Sequence, residues 1–173
     1  AGGCDNAYDL ALATGTVNMV GSTDFTLSGF AINKGAVLTR RKFDITGTTD
    51  GTHDGDVVYF GPTEELTTGT IVYYNGSQWI AADADAASTG AGLIGVVLGP
   101  NVVESGILLR GMVTLDHDPG TNGDKLYLST TAGQASSTAP SGTGDIVRVI
   151  GYCLDSSNGQ IWFNPDNTWV EIS

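Results

Sequence analysis

The sequence predicts an all-β fold, a sandwich or a barrel, and three observations carry that prediction. No stretch keeps the apolar spacing of a helix over three turns, whereas short runs with period-two apolar placement recur along the chain. The composition agrees: 25 glycines in 173 residues, with only 15% charged side chains, suit many turns between pleated strands. Third, one segment is repeated. Gly69-Thr-Ile-Val-Tyr73 followed by Gly92-Leu-Ile-Gly95-Val-Val-Leu98 returns as Gly123-Asp-Lys-Leu-Tyr127 followed by Val149-Ile-Gly151-Tyr-Cys-Leu154. The offset is 54 residues at the first glycine and 56 at the second. Each copy reads as a strand anchored on Tyr73 or Tyr127, a variable loop, and a strand interrupted by Gly95 or Gly151. A partial third copy, Gly55-Asp-Val-Val-Tyr59, precedes them. A repeated β unit builds a scaffold or contact surface, which a single catalytic pocket does not require.

The elements follow in order. Residues 1–12 are small and polar around Leu10 and Leu12, and read as an arm that packs on a neighbouring subunit. Val17, Met19, Phe25 and Leu27, then Val37, Phe43 and Ile45, give strand-like placement punctuated by Gly-Ser and Asn-Lys-Gly turns. The expected division is an N-terminal arm with attachment strands over 1–50 and a repeated β domain over 51–173. Asp50–Gly55 reads as a hydrophilic loop and Asp56–Phe60 as a strand. Asn75-Gly76 is a hairpin signal between Thr70–Tyr74 and Gln78–Ala81, with Trp79 expected on the face of Tyr73. Ala82–Gly90 is either a helical turn or a loop. Strands follow over Leu93–Leu98, Gly106–Leu115, Lys125–Ser129, Asp145–Leu154, Gln160–Asn164 and Thr168–Ile172, with Ser136–Gly144 as a loop.

Charge narrows the function. Nineteen acids against seven bases give a formal net charge of -12, which repels polyphosphate and argues against nucleic acid as a partner. No apolar run reaches eighteen residues, so no membrane helix is expected. Ala1-Gly-Gly-Cys4 has neither the charged nor the apolar region of a signal peptide. Cys153, inside the apolar run 147–154, reads as a small buried hydrophobe rather than as half of a disulfide with Cys4. The basic run Arg40-Arg41-Lys42 reads as an exposed strand edge or a contact with a neighbouring subunit.

Catalytic chemistry finds little purchase. Both histidines, His53 and His117, sit in acidic loops, no Gly-x-Ser-x-Gly elbow occurs, and neither cysteine has a context that would activate a thiolate. No enzymatic role and no cofactor are expected. Asp116, Asp118 and Asp124 are weak candidates for a Ca²⁺ site, as are Asp50, Asp54 and Asp56, but neither loop has the helix–loop–helix calcium spacing. Turn chemistry accounts for these residues more simply. Trp79, Trp162 and Trp169 could stack on a glycan, although aromatics on half-buried strands more often pack in a core.

Gly123-Asp-Lys-Leu-Tyr-Leu-Ser-Thr-Thr-Ala-Gly133, Thr138-Ala-Pro140 and Asp145–Leu154 resemble a segment shared by tailed-phage virion proteins. That pattern is Gly-Asp-x-Leu-Tyr-Leu-Ser, a Gly turn, a Thr-x-x-Pro loop and Val-x-x-Val-Gly. Ile94-Gly95-Val-Val and Gly106-Ile-Leu-Leu-Arg-Gly111 are similar to its upstream strand. The likeness covers about residues 55–165, and it extends over both head decoration (cement) proteins and head- or tail-fibre proteins. It implies a non-enzymatic structural protein on the outer surface of the virion, forming a homotrimer on the major capsid protein. The absence of heptads and of Gly-X-Y runs favours the head. The alternative is a tail-fibre or adhesin-type module binding a host receptor or glycan.

Overall fold

β-branched and aromatic residues at period two, separated by Gly, Asn and Asp turns, assemble into a curled antiparallel sheet that forms a half-barrel. The structure is a computed structural model that describes residues 43–63 and 65–173. The chain divides into two units, Ala1–Arg40 and Arg41–Ser173. Cys4, Arg40, Arg41, Lys42 and the arm over 1–12 lie outside the described residues.

Eleven strands and two single-turn helices are described: β1 (His53–Val58), β2 (Ile71–Tyr74), β3 (Trp79–Ala81), α1 (Ala87–Gly90), β4 (Ile94–Val97), α2 (Val102–Ser105), β5 (Ile107–Thr114), β6 (Lys125–Leu128), β7 (Ala135–Ser136), β8 (Ile146–Val147), β9 (Val149–Asp155), β10 (Gln160–Phe163) and β11 (Val170–Glu171). The main sheet runs β3-β2-β4-β5-β10-β9-β6-β7, with β1 added beside β5, and β8 and β11 form a separate pair. Every strand-to-strand ladder is antiparallel, so most connections are short.

Two cores lie on opposite faces of the first strands. Ile71, Ile94, Val96 and Leu108 join Leu126, Leu128, Ile150, Ile161 and Phe163 in the larger one. Val72, Trp79, Val97, Val102 and Ile107 form the smaller one, with Val58, Leu66 and Tyr74 packed against it. This is why β4 is buried at all four positions. The Trp79 indole Nε1–H donates to the Phe60 carbonyl at 2.7 Å, which pins the segment after β1 over the smaller core.

Four sequence expectations change here. Trp79 shares its face with Tyr74, directly opposite it in the ladder, and not with Tyr73. The hairpin loop holds four residues, Asn75–Gln78, one more than the gap between the expected strands Thr70–Tyr74 and Gln78–Ala81, and this shifts the register by one residue; Asn75 Oδ1 accepts from Ser77 and Gln78 N–H. Gly55 is no third copy. Gly69 and Gly123 precede their strands at φ +92° and +89°, whereas Gly55 sits within β1, paired with Gly111 of β5. The β1 strand also begins at His53, inside the stretch that reads as a hydrophilic loop.

Candidate functional site

The repeat is a four-strand unit with a conserved register. In the first unit Tyr74 pairs with Trp79 and Tyr73 with Ile80. In the second, Leu128 pairs with Ala135 and Tyr127 with Ser136. Val72 faces Gly95, and Leu126 faces Gly151. Val96–Leu108 and Val97–Ile107 correspond to Tyr152–Trp162 and Cys153–Ile161. Loop bonds repeat as well: Gly69 N–H donates to Val97 O and Gly123 N–H to Cys153 O, each at 2.8 Å. The change of offset arises in the hairpin loop, which is two residues longer in Ser129–Gln134 than in Asn75–Gln78. One bulge separates the copies, leaving Ile150 unpaired between Gly151 and Val149.

Burial is inverted between the copies. Val72, Trp79, Val97 and Ile107 line the smaller core, while their counterparts Leu126, Ala135, Cys153 and Ile161 line the larger one. Conversely Ile71, Val96, Leu98 and Leu108 lie in the larger core. Their counterparts Lys125, Tyr152, Leu154 and Trp162 face outward, with Tyr152 47% and Leu154 40% exposed. The face that the first unit buries against the second is therefore open on the second. Phe43 meets Trp162 there edge-on, with ring centroids 4.9 Å apart, and the Arg110 guanidinium lies 5.9 Å from the Trp162 ring centroid.

A second feature arises where the sheet forks. β1 follows β5 from Ile107 to Val113, while the opposite edge is divided between β4 at Ile107–Leu108 and β10 at Gly111–Thr114. Leu109 and Arg110 fall in the gap. The β1–β5 register passes from Asp56–Arg110 to Val57–Leu108, so Leu109 is a bulge residue, and both it and Arg110 reach the cleft that the fork opens. That cleft has a volume of about 440 Å³ and is walled by Leu93, Leu109, Arg110, Arg148, Asn164 and Asn167.

Arg148 is the key residue of this cleft. Only 4% of it is exposed. Its Nη1 donates to the Gly90 and Gly92 carbonyls at 2.6 Å each, and its Nε to the Asp166 carbonyl at 2.9 Å. Nη2 has no hydrogen-bond partner among the described residues. Burial lowers the guanidinium from its ordinary value and the nearby Asp166 charge opposes that shift; an arginine stays protonated throughout. The Asp166 carboxylate itself turns to the backbone N–H and hydroxyl of Thr168.

The sequence-predicted site residues are placed elsewhere. Asp116 Oδ1 meets His117 Nδ1 at 2.6 Å, and Oδ2 accepts from Thr70 Oγ1. His117 Nε2 accepts the Ala135 backbone N–H at 2.9 Å, so the ring is the neutral tautomer with its proton on Nδ1. The imidazole thus ties the loop to β7 and has no nitrogen left for a substrate. Burial alone would raise the Asp116 carboxyl, but the hydrogen bonds it accepts from His117 and Thr70 hold it below the ordinary carboxylate value. Asp124 Oδ2 closes a turn by accepting Thr121 N–H. Asp116, Asp118 and Asp124 are not gathered, and no group of three metal-ligating side chains occurs among the described residues. Asp54 accepts the Asp44 N–H. Cys153 is a buried free thiol, raised by burial and by Asp124, Asp155 and Asp118. Of the tryptophans, Trp79 is wholly buried, Trp162 half-buried and Trp169 37% exposed.

Sequence reasoning missed Arg148. Its signal was a lone cation within the apolar run Ile146–Leu154, in a chain with only seven basic residues. Comparison with protein-family models, with curated proteins and with solved structures finds no match.

Proposed function

We propose that the protein is a non-enzymatic structural component of a tailed-phage virion, a decoration or cement protein that sits on the outside of the head as a homotrimer bound to the major capsid protein. The observation that carries this reading is the duplicated four-strand unit, whose pairing is repeated while its burial is inverted. Such a unit is a packing module: one face of the first copy is already buried against the second. The likeness of Gly123–Leu154 to virion proteins supplies the setting. A cement protein clamps neighbouring capsomers, which calls for stiff β modules and large buried contacts. The outward face with Tyr152, Leu154 and Trp162 is the surface assigned to a second copy, because its counterpart in the first unit is buried against a neighbouring unit.

Light scattering on the full chain tests the assembly. A mass three times the 17.8 kDa of one chain is expected, and the double variant Tyr152→Asp, Leu154→Asp should reduce it to one chain with unchanged circular dichroism. A single-chain mass for the unaltered protein would overturn the trimer. Attachment is tested with undecorated heads: deleting residues 1–12 should weaken binding, and replacing Arg40, Arg41 and Lys42 by Ser should make it slower and less salt-sensitive. Equal decoration by the truncated chain would show that the arm is not the anchor.

A second reading, a tail-fibre or adhesin-type module that binds a host receptor or glycan, draws on the cleft at the sheet fork. Head attachment does not require a ligand cleft holding two arginines.

A further inference from the structure

We propose that the cleft at the fork of the sheet binds a carboxylate-bearing sugar, a hexuronate unit. The inference rests on the cleft alone, so the head assignment stands or falls separately from it.

Three properties of the walls point to this ligand. The first is charge. In a chain of net charge -12, two of the seven cations line one cleft, Arg148 from its base and Arg110 from the β5 bulge. Arg148 spends Nε and Nη1 on backbone carbonyls and keeps Nη2 without a partner among the described residues. The guanidinium is hydrogen-bonded only to neutral carbonyls, with Asp166 acting on it through its charge and not through a hydrogen bond, so Nη2 can still take an anion directly. The Asp166 carboxylate, the competing charge, is turned to Thr168. The guanidinium fork suits a planar carboxylate, which it can engage with parallel N–H donors.

The second property is the neutral polar lining. Asn164 and Asn167 each carry an amide that can both donate and accept, which is the pairing that sugar hydroxyls require. The third is the apolar surface of Leu93 and Leu109, on which the C–H face of a pyranose ring can lie. The volume of about 440 Å³ is in the range of small-ligand sites. A simple organic acid would use the arginines and leave the amides and apolar wall unused. A neutral sugar would do the reverse.

Titration of the full chain with glucuronate, glucose and acetate, followed by calorimetry or by backbone amide shifts, separates these cases. Glucuronate should bind with a Kd of about 10 mM or tighter, and glucose and acetate about tenfold or more weakly. Arg110→Gln, which also gives up the contact with the Trp162 ring, and Asn164→Ala should each weaken glucuronate about fivefold or more with a fall in Tm of no more than about 4 °C, while Lys125→Gln should leave binding unchanged. The proposal is overturned if glucuronate does not bind, if acetate binds as tightly, or if Arg110→Gln binds as the unaltered chain does.

Discussion

Replacing Gly151 by alanine tests the repeat through its tightest contact. A Cβ at Gly151 would overlap the Trp162 carbonyl oxygen and come within 3.3 Å of the Phe163 Cα, both backbone atoms of β10. The β10 strand is held by β9 on one side and β5 on the other, so it cannot give way without loss of pairing. Overpacking of this kind costs about 1–3 kcal/mol. Each ladder hydrogen bond weakened as the strands part adds about 1 kcal/mol. The expected destabilisation is about 2–4 kcal/mol, or a fall in Tm of roughly 4–16 °C for a chain of this size. Gly95 stands at the equivalent place, where a Cβ would meet the Ile107 side chain and the Leu108 carbonyl at 2.8 Å. The carbonyl is farther away than at Gly151, but the nearest atom is the Cγ2 of Ile107, a buried β-branched side chain that can yield only through χ1, so Gly95→Ala should cost about 1–3 kcal/mol. Gly92, with nothing near its Cβ direction, is the control and should change stability by less than about 0.5 kcal/mol. Urea unfolding followed by tryptophan fluorescence gives the three values. If Gly151→Ala unfolds at the same urea concentration as Gly92→Ala, the argument from strand contact is wrong.

Three further outcomes are expected. Asp116 has a lowered carboxyl in the folded chain, so its contribution to stability is present above the unfolded carboxylate value and is lost as pH falls through the lower folded value; Asp116→Asn should flatten the acid limb of the stability curve below about pH 5. Cys153, buried and raised, should resist a disulfide reagent in a folded Cys4→Ser chain and react within the dead time once urea unfolds it; prompt reaction of the folded chain would contradict its burial. Trp79→Phe removes the donor to the Phe60 carbonyl and part of the smaller core, and should cost about 2–3 kcal/mol in the same urea assay.

The β class and the repeat were legible because their signals are local. Tyr73 and Tyr127, Gly95 and Gly151 recur at nearly fixed spacing, and strand pairing turns that spacing directly into register. Face assignment was less accessible. Trp79 falls opposite Tyr74 because Asn75 caps a four-residue loop, and a shift of one residue exchanges the two faces of a strand. Gly55 imitates the repeat in sequence, yet it serves close approach to Gly111. The inversion of burial between the units was hidden for a similar reason: Ile71 and Lys125 hold the same place in the pairing and differ in what covers them. The cleft is walled by residues from 91–94, 109–110, 148 and 164–167, which only the folded sheet brings together, so only Arg148 left a local trace. Asp116, Asp118 and Asp124 look like ligands in sequence because turn formers and calcium ligands are the same residues.

The proposal that the chain is a phage head protein is tested most directly by a density map of the intact particle. The account predicts that the two-unit β body fits density on the outer surface of the head, in groups of three, with the Tyr152 and Leu154 face turned toward a neighbouring copy. Density for the chain found only on tail fibres, or nowhere on the particle, would contradict it.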